Sequence, residues 1–181
     1  MKKLLLTTVL ILAVCFAVFA DGYNKVSVKV NPYSLHHFSG NGNSVDSKYG
    51  VGGGASYTYV FDMGSFGLAV GADLLADTYF IKDRPNFTDL AFMAKVGYCF
   101  ASAEKHIGFF ANLKYGLDLQ FHNGKTSPVQ VIGPEIGSEY SFNEHWSILG
   151  ALEVLFTSPR KDGVNYSTIR FNPYLGASYT F

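Results

Sequence analysis

The sequence predicts an all-β fold: an eight-stranded antiparallel up-and-down transmembrane β-barrel that follows an N-terminal signal peptide. Three observations predict it. Stretches of alternating apolar and polar residues recur along the chain, the connections between them alternate in length, and aromatic residues gather at the ends of these stretches. A two-residue period indicates a strand with one apolar face. Short turns at one end and long loops at the other are typical of barrels that span a membrane.

The first twenty residues predict a secretory signal peptide, with a basic start, an apolar run and a small-residue end. Cleavage after Ala20 would leave residues 21–181 as the barrel domain. Two alternatives stay open for residues 1–20. One is a retained helical anchor, and the other is a lipoprotein signal at Cys15, which the apolar residues after that cysteine disfavour.

Composition excludes several classes of protein. The chain has 14 basic and 14 acidic residues, and two of the basic ones lie in the predicted signal peptide. The remaining domain therefore carries no excess of positive charge that would attract nucleic acid. If Cys15 is removed, Cys99 is alone and no internal disulfide can form. Only 15% of residues are charged and 16% are aromatic, an unusual balance for a secreted soluble domain.

Eight stretches of the chain alternate with a two-residue period. They lie at 25–35, 48–60, 66–76, 90–101, 106–121, 129–142, 146–157 and 166–181. The fifth stretch is the clearest, because every second residue from Ile107 to Phe121 is apolar, while Lys114 and Asp118 lie on the opposite face. We predict one strand for each stretch.

The connections predict an up-and-down order. Short connections are expected near 61–65, 102–105 and 143–145, and long polar ones near 36–47, 77–89, 122–128 and 158–165. In transmembrane barrels the short turns face the periplasm and the long loops face outward, and an even strand number returns both termini to the periplasmic side.

A soluble lipocalin-like binder would show the same alternation with its faces exchanged. Many of the stretches are eleven residues or longer, enough to cross a bilayer at a tilt. The polar face is mostly Gly, Ala, Ser and Thr, which suits a crowded lumen better than a wetted surface. Aromatic residues at both ends of the stretches suit two membrane interfaces. The membrane barrel is therefore favoured over the soluble binder.

The face rich in small residues is expected to line the lumen, and it carries nine charged side chains. They are Lys29, Asp73, Lys95, Lys114, Asp118, Glu135, Glu139, Glu153 and Arg170. An eight-stranded barrel leaves room inside only for side chains, and buried charges persist only when they are paired. We predict a salt-bridged plug, with a gated narrow polar path as the alternative.

The chain ends on a strand-like segment, YLGASYTF, whose final residue is Phe181. We expect this strand to pair with the first one, because closing the barrel leaves no unpaired edge in lipid. NPY occurs in both predicted neighbours, at Asn31–Tyr33 and Asn172–Tyr174. A proline inside a sheet forfeits a ladder bond, so we expect a bulge or irregularity at each.

The chain resembles the small eight-stranded outer-membrane barrels of the OmpA, OmpX and OmpW kind, and the ending FNPYLGASYTF is similar to the OmpW-type ending. The resemblance implies a cell outer-membrane location in contact with outer-membrane lipid. It also implies that Tyr179 and Phe181 form a C-terminal signal read by the outer-membrane assembly machinery. OmpW-like proteins are associated with passage of small hydrophobic molecules.

No catalytic, cofactor or metal site is predicted. Two His-x-Ser stretches occur in the chain, His37–Ser39 and His145–Ser147. Some eight-stranded barrels use the histidine and serine of such a stretch to modify lipid A. The second lies at a short turn and the first in a predicted loop, so ordinary loop residues are the better interpretation. For metal, adjacent His36 and His37 point apart in an extended chain, and no ligand spacing supports a site with His122.

The sequence thus predicts a barrel with a plugged or narrow lumen and a structural or surface-interaction role. Its long outer loops are the expected place for an extracellular ligand, since loops on a rigid scaffold carry most binding function. The alternative is a narrow conduit for small hydrophobic or polar solutes. A lipid A-modifying enzyme is less favoured, and we expect the protein not to be an enzyme.

Overall fold

The computed structural model describes residues 22–40, 43–64, 66–80, 87–102, 106–122, 124–157, 160–161 and 164–181. The predicted signal peptide, residues 1–20, lies outside the described residues. No helix in the described part of the chain is long and apolar enough to cross a membrane.

The described residues form eight long strands and one two-residue strand. They are β1 (Gly22–Gly40), β2 (Asn43–Asp62), β3 (Gly67–Phe80), β4 (Phe87–Ser102), β5 (Ile107–His122), β6 (Lys125–Ser141), β7 (Trp146–Thr157), β8 (Arg160–Lys161) and β9 (Val164–Thr180). From β1 to β7 each strand pairs antiparallel with the next one in the chain, β7 pairs with β9, and β9 returns to pair with β1, while the short β8 pairs with β9. The eight long strands therefore close into a barrel, which confirms the predicted fold class.

The C-terminus takes part in this closure. The Phe181 amide donates to Asn24 O at 3.0 Å, and the Asn24 amide donates to Phe181 O at 3.1 Å. The Thr180 amide donates to His145 O at 2.8 Å. The last residue is thus bonded to the first strand, as the alternating ending predicts.

The barrel is apolar outside and polar inside. Outward side chains such as Val28, Phe109 and Leu175 are 60–62% exposed, whereas Lys114 and Arg170 point inward and are fully buried. Removing apolar surface from water is favourable, so this arrangement is stable only where lipid covers the outer face. The barrel is therefore a transmembrane one and not a soluble binder with an apolar interior.

Two of the four predicted long loops are wrong. β1 continues to Gly40 and β2 starts at Asn43, so only two residues separate them, and His122 pairs directly with Lys125 across a tight turn. Polar composition does not end a strand here, because pairing with a neighbour satisfies its backbone groups beyond the apolar zone. We call the end with the connections β2–β3, β4–β5 and β6–β7 the turn end, and the opposite end the loop end.

Both NPY prolines lie at an irregularity of the sheet, as expected. The register of β1 against β2 shifts between Asn31 and Ser34, so a bulge at Pro32 and Tyr33 interrupts that ladder. Pro173 pairs regularly with Leu152 on β7, but on its β1 side it lies within the register shift between Val30–Leu175 and Leu35–Phe171. The bulge reverses the phase of β1, and the residues after it that face the lumen are even-numbered, Ser34 and His36.

Candidate functional site

The structure places all nine predicted charges inside the barrel. Eight of them are buried, and Glu139, near the turn end, is half-buried. Four further lysine, histidine or aspartate side chains lie in the lumen that the strand pattern did not predict there. They are Lys25, His36, Asp77 and Asp89.

Six of these side chains form a group that we call the lysine cluster: Lys29, Lys95, Lys114, Asp73, Glu135 and Glu153. Lys114 Nζ lies 2.5 Å from Asp73 Oδ2, 2.5 Å from Glu153 Oε2 and in contact with Glu135 Oε1. Lys29 Nζ lies 2.7 Å from Asp73 Oδ2, and Lys95 Nζ lies 3.0 Å from Asp73 Oδ1. Three cations thus meet three anions.

Neutral donors complete the coordination of this cluster. Asn112 Nδ2 donates to Glu135 Oε2 at 2.6 Å, the Tyr174 hydroxyl donates to Glu135 Oε1, and Asn172 Nδ2 donates to Glu153 Oε1 at 3.1 Å. Lys29 Nζ also lies 4.5 Å from the centre of the Tyr174 ring. Buried charges need pairing and hydrogen bonds together, and this cluster has both.

The carboxylates of Asp73, Glu135 and Glu153 approach one another closely enough to hold a metal ion. The Lys114 ammonium lies among the same oxygens, at 2.5 Å from two of the three residues. The positive charge that these carboxylates require is therefore supplied by the chain itself.

A second group, the arginine cluster, lies toward the loop end and consists of Arg170, Asp77, Asp89 and Asp118. Arg170 Nη1 lies 2.8 Å from Asp89 Oδ2, and Nη2 lies 3.0 Å from Asp118 Oδ2. The Asp77 carboxylate accepts hydrogen bonds from Asn31 Nδ2 at 2.9 Å and from Asn172 Nδ2 at 3.4 Å. Asn172 thus links the two clusters, since it also binds Glu153.

An apolar group surrounds these ions. Leu75, Ala91, Met93, Val131 and Leu155 form one buried cluster inside the lumen. Ala91 is the register partner of Asp118, and Leu155 is that of Arg170. Water is thereby kept from the ions on this side, which strengthens their attraction and makes any unpaired charge costly.

Aromatic side chains cover the arginine cluster at the loop end. The ring of His36 lies 4.9 Å from Tyr79 and 5.7 Å from Phe87, centre to centre, and all three residues are buried. Aromatic residues near the ends of the alternating stretches are expected at the membrane interfaces, and Tyr79 and Phe87 are two of them. Both point inward instead, and with His36 they form an aromatic layer that closes the lumen at the loop end.

The turn end is closed less completely. A cavity of about 60 Å³ lies there, between the lysine cluster and the Lys25–Glu139 pair. Lys25 Nζ lies 2.6 Å and 2.8 Å from the two carboxylate oxygens of Glu139, and the two side chains are 12% and 17% exposed. This volume is far below the roughly 300–1,000 Å³ of a small-molecule pocket.

The remaining residues singled out in the sequence lie apart from these clusters. Tyr179 and Phe181 are on the outer face at the turn end, where Tyr179 packs between His145 and Trp146. The Nδ1–H of His145 donates to the carbonyl oxygen of Thr180 at 2.9 Å. His36 is in the lumen, 3.8 Å from Asp89, and is therefore not a loop residue.

The comparisons with known proteins match this architecture. Over 87% of the chain, the barrel superposes on 97% of the crystal structure of Neisserial surface protein A with a TM-score of 0.58 and 13% identity. A second match is the outer-membrane protein AlkL, whose structure was determined by solid-state NMR in lipid bilayers. The match covers 90% of this chain and 92% of AlkL, with a TM-score of 0.51 and 12% identity. The fold is that of a small bacterial outer-membrane β-barrel.

No protein-family model and no curated protein sequence matches the chain. At 12–13% identity the likeness to these two structures concerns the fold. The function has to be argued from the lumen and the surface of this chain.

Proposed function

We propose that the protein is a sealed outer-membrane barrel, whose filled lumen holds the wall together while its loop end serves as a surface for interaction. One observation carries this proposal: the two charged clusters fill the middle of the barrel, with Lys114 and Arg170 fully buried. A solute crossing the barrel would have to separate ion pairs of 2.5–3.0 Å that lie in a largely apolar surrounding.

The loop end supports an interaction role by its construction. β1 and β2 pair up to Gly40 and Asn43, and β9 pairs with β1 up to Tyr166. In β2, the described pairing with β3 begins at Tyr49 and Phe80. Backbone pairing among β9, β1 and β2 therefore continues beyond the described ends of β3 and β4, and this extension is the place where we expect an extracellular ligand to bind.

Liposome swelling tests the sealed lumen. Refolded protein in liposomes should leave them impermeable to small sugars and amino acids, under conditions where a porin of known permeability collapses the gradient. The Glu139→Ala variant should leave the liposomes sealed as well, because the two clusters above it remain. Uptake by the wild type that changes in Glu139→Ala would instead support a narrow conduit.

Contact with outer-membrane lipid and recognition by the assembly machinery belong to the same proposal. Tyr179 and Phe181 are 38% and 60% exposed on the outer face, where an assembly partner can reach them. The Phe181→Ser variant should accumulate in the periplasm as unfolded protein, whereas Phe142→Ser, an exposed aromatic at the same end, should still reach the membrane. Equal membrane levels of the two variants would contradict this role of Phe181.

A further inference from the structure

The cavity at the turn end has one wall made mainly of hydrogen-bond donors. Ser27, Ser56 and Thr58 line it with hydroxyl groups, and Lys25 and Lys95 line it with ammonium-bearing side chains. These residues come from β1, β2 and β4. Ser27 is the direct register partner of Ser56, and Lys25 that of Thr58, so the donors form a continuous patch.

The donors of this patch lie at one level of the barrel. Thr58 pairs with Gly71 on β3, and Gly71 pairs with Lys95 on β4. Lys25, Thr58, Gly71 and Lys95 therefore lie in one row across four strands, so Lys95 is level with Thr58.

Lys95 has fewer ionic partners than the other lysines of the lysine cluster. Its Nζ contacts one carboxylate oxygen, Asp73 Oδ1, whereas Lys114 contacts three carboxylates and Lys29 contacts two. Asp73 is itself shared among all three lysines. An ammonium group has three N–H donors, so Lys95, whose side chain is 7% exposed, has donors to spare where it lines the cavity.

The carboxylates on the opposite wall are already engaged. Glu139 binds Lys25 through both of its oxygens. Glu135 accepts from Asn112 and Tyr174 and contacts Lys29 and Lys114. The carboxylates of this wall thus have partners, and Asn112 Oδ1 is a lining acceptor without a hydrogen bond. Lys95 supplies spare charged donors on the other wall, which favour an occupant that accepts hydrogen bonds and carries negative charge.

We propose that this cavity binds one small monovalent anion of halide size, held by the Lys95 ammonium and by the hydroxyls of Ser27, Ser56 and Thr58. The volume of about 60 Å³ is sufficient for an ion of this size. The ion enters from the turn end past Lys25 and Glu139, whose side chains remain partly exposed. The lysine cluster blocks its way further into the barrel.

Bromide provides the direct test, since its position follows from anomalous scattering. Crystals of the wild-type barrel grown in sodium bromide should show one anomalous peak inside the cavity, within hydrogen-bond distance of Lys95 Nζ. Density for water alone in the cavity, or bromide only on the outer surface, would overturn the proposal.

Thermal unfolding in detergent gives a second test that needs no crystal. The wild type should unfold at a higher temperature in sodium chloride or bromide than in sodium gluconate of equal ionic strength, because a ligand that binds only the folded state stabilises it. Lys95→Gln and Thr58→Val should each reduce this difference, and Lys125→Gln, which changes an exposed residue at the loop end, should keep it. The same difference in all four proteins would contradict the site, and Thr58→Val decides if Lys95→Gln fails to fold.

Discussion

The lysine cluster and the arginine cluster bury the same kinds of groups, yet they compensate charge differently. In the lysine cluster, three lysines face three carboxylates, and Asp73 alone contacts all three ammonium groups. In the arginine cluster, Arg170 pairs with Asp89 and Asp118 but not with Asp77. Among the described side chains, no other arginine or lysine lies within ion-pair distance of these three aspartates. Asp77 instead accepts hydrogen bonds from two neutral side-chain amides.

This contrast shows that the number of alternative ionic partners, and not burial alone, decides how much one charged side chain contributes to stability. Asp77 and Asp89 are direct cross-strand neighbours, and like charges in that arrangement repel. Removing Arg170 leaves that repulsion without its opposing charge. Removing one lysine leaves two others beside the same acids.

The Arg170→Met variant should show the largest loss of stability. Asp89 and Asp118 would keep their buried positions without an arginine, and breaking such a buried pair costs about 3–5 kcal/mol of unfolding free energy. Urea unfolding in phospholipid vesicles, followed by the fluorescence of the single tryptophan, Trp146, measures it. Lys125→Met is the matched control for loss of one positive charge, and a loss no larger than in that control would contradict the role of Arg170.

The Lys114→Met variant should lose less, about 2–3 kcal/mol, because Asp73 and Glu135 keep other cations, so the cost stays below that of a fully broken buried pair. Glu153 is the carboxylate left with Asn172 as its described partner. Adding Glu153→Gln to Lys114→Met should therefore recover part of the loss in the same unfolding assay. A loss greater than that of Arg170→Met, or no recovery in the double variant, would contradict the redundancy of the lysine cluster.

The Lys95→Gln variant should cost about 1.5 kcal/mol, the low end of the range for one hydrogen bond to a charged group, because Asp73 keeps Lys29 and Lys114. The temperature at which the folded band on an unboiled gel converts to the unfolded band gives this comparison simply. The conversion temperature should fall less than it does in Lys114→Met. The reverse order would show that Lys95 contributes more to the stability of the lysine cluster than its single ionic contact indicates.

The Lys25–Glu139 pair should contribute least. Both side chains are partly exposed at the turn end, and solvent-screened pairs contribute up to about 1 kcal/mol. A double-mutant cycle with Lys25→Gln and Glu139→Gln isolates the coupling between the two. A coupling as large as the loss in Arg170→Met would mean that this pair, and not the clusters above it, holds the lumen closed.

Much of this lumen follows from strand phase. The nine charges read from the sequence share the inward phase of their strands, and Asp77 and Asp89 lie in that same phase just beyond predicted segments 66–76 and 90–101. Extending the alternation past polar residues would have found them. Lys25 likewise shares the phase of Lys29, at the first residue of its predicted segment.

Other features depend on the closed barrel and not on local pattern. His36 reaches the lumen because the bulge at Pro32 and Tyr33 reverses the phase of β1, and the sequence does not state how many residues a bulge inserts. Tyr79 and Phe87 follow the inward phase, but their aromatic character suggested a membrane interface. The partners of Lys114 come from β3, β6 and β7, so they depend on how the strands are staggered when the sheet closes.

Conductance across a planar lipid bilayer tests the sealed lumen most directly. The refolded wild-type barrel, inserted from detergent and checked for heat-dependent migration on a gel, should give no steady current above the bare bilayer in molar potassium chloride at either polarity. Steady unitary conductance steps in the wild type would contradict the sealed lumen if the Arg170→Met or Lys114→Met variant changed their size. Such steps would show that ions pass through the two clusters.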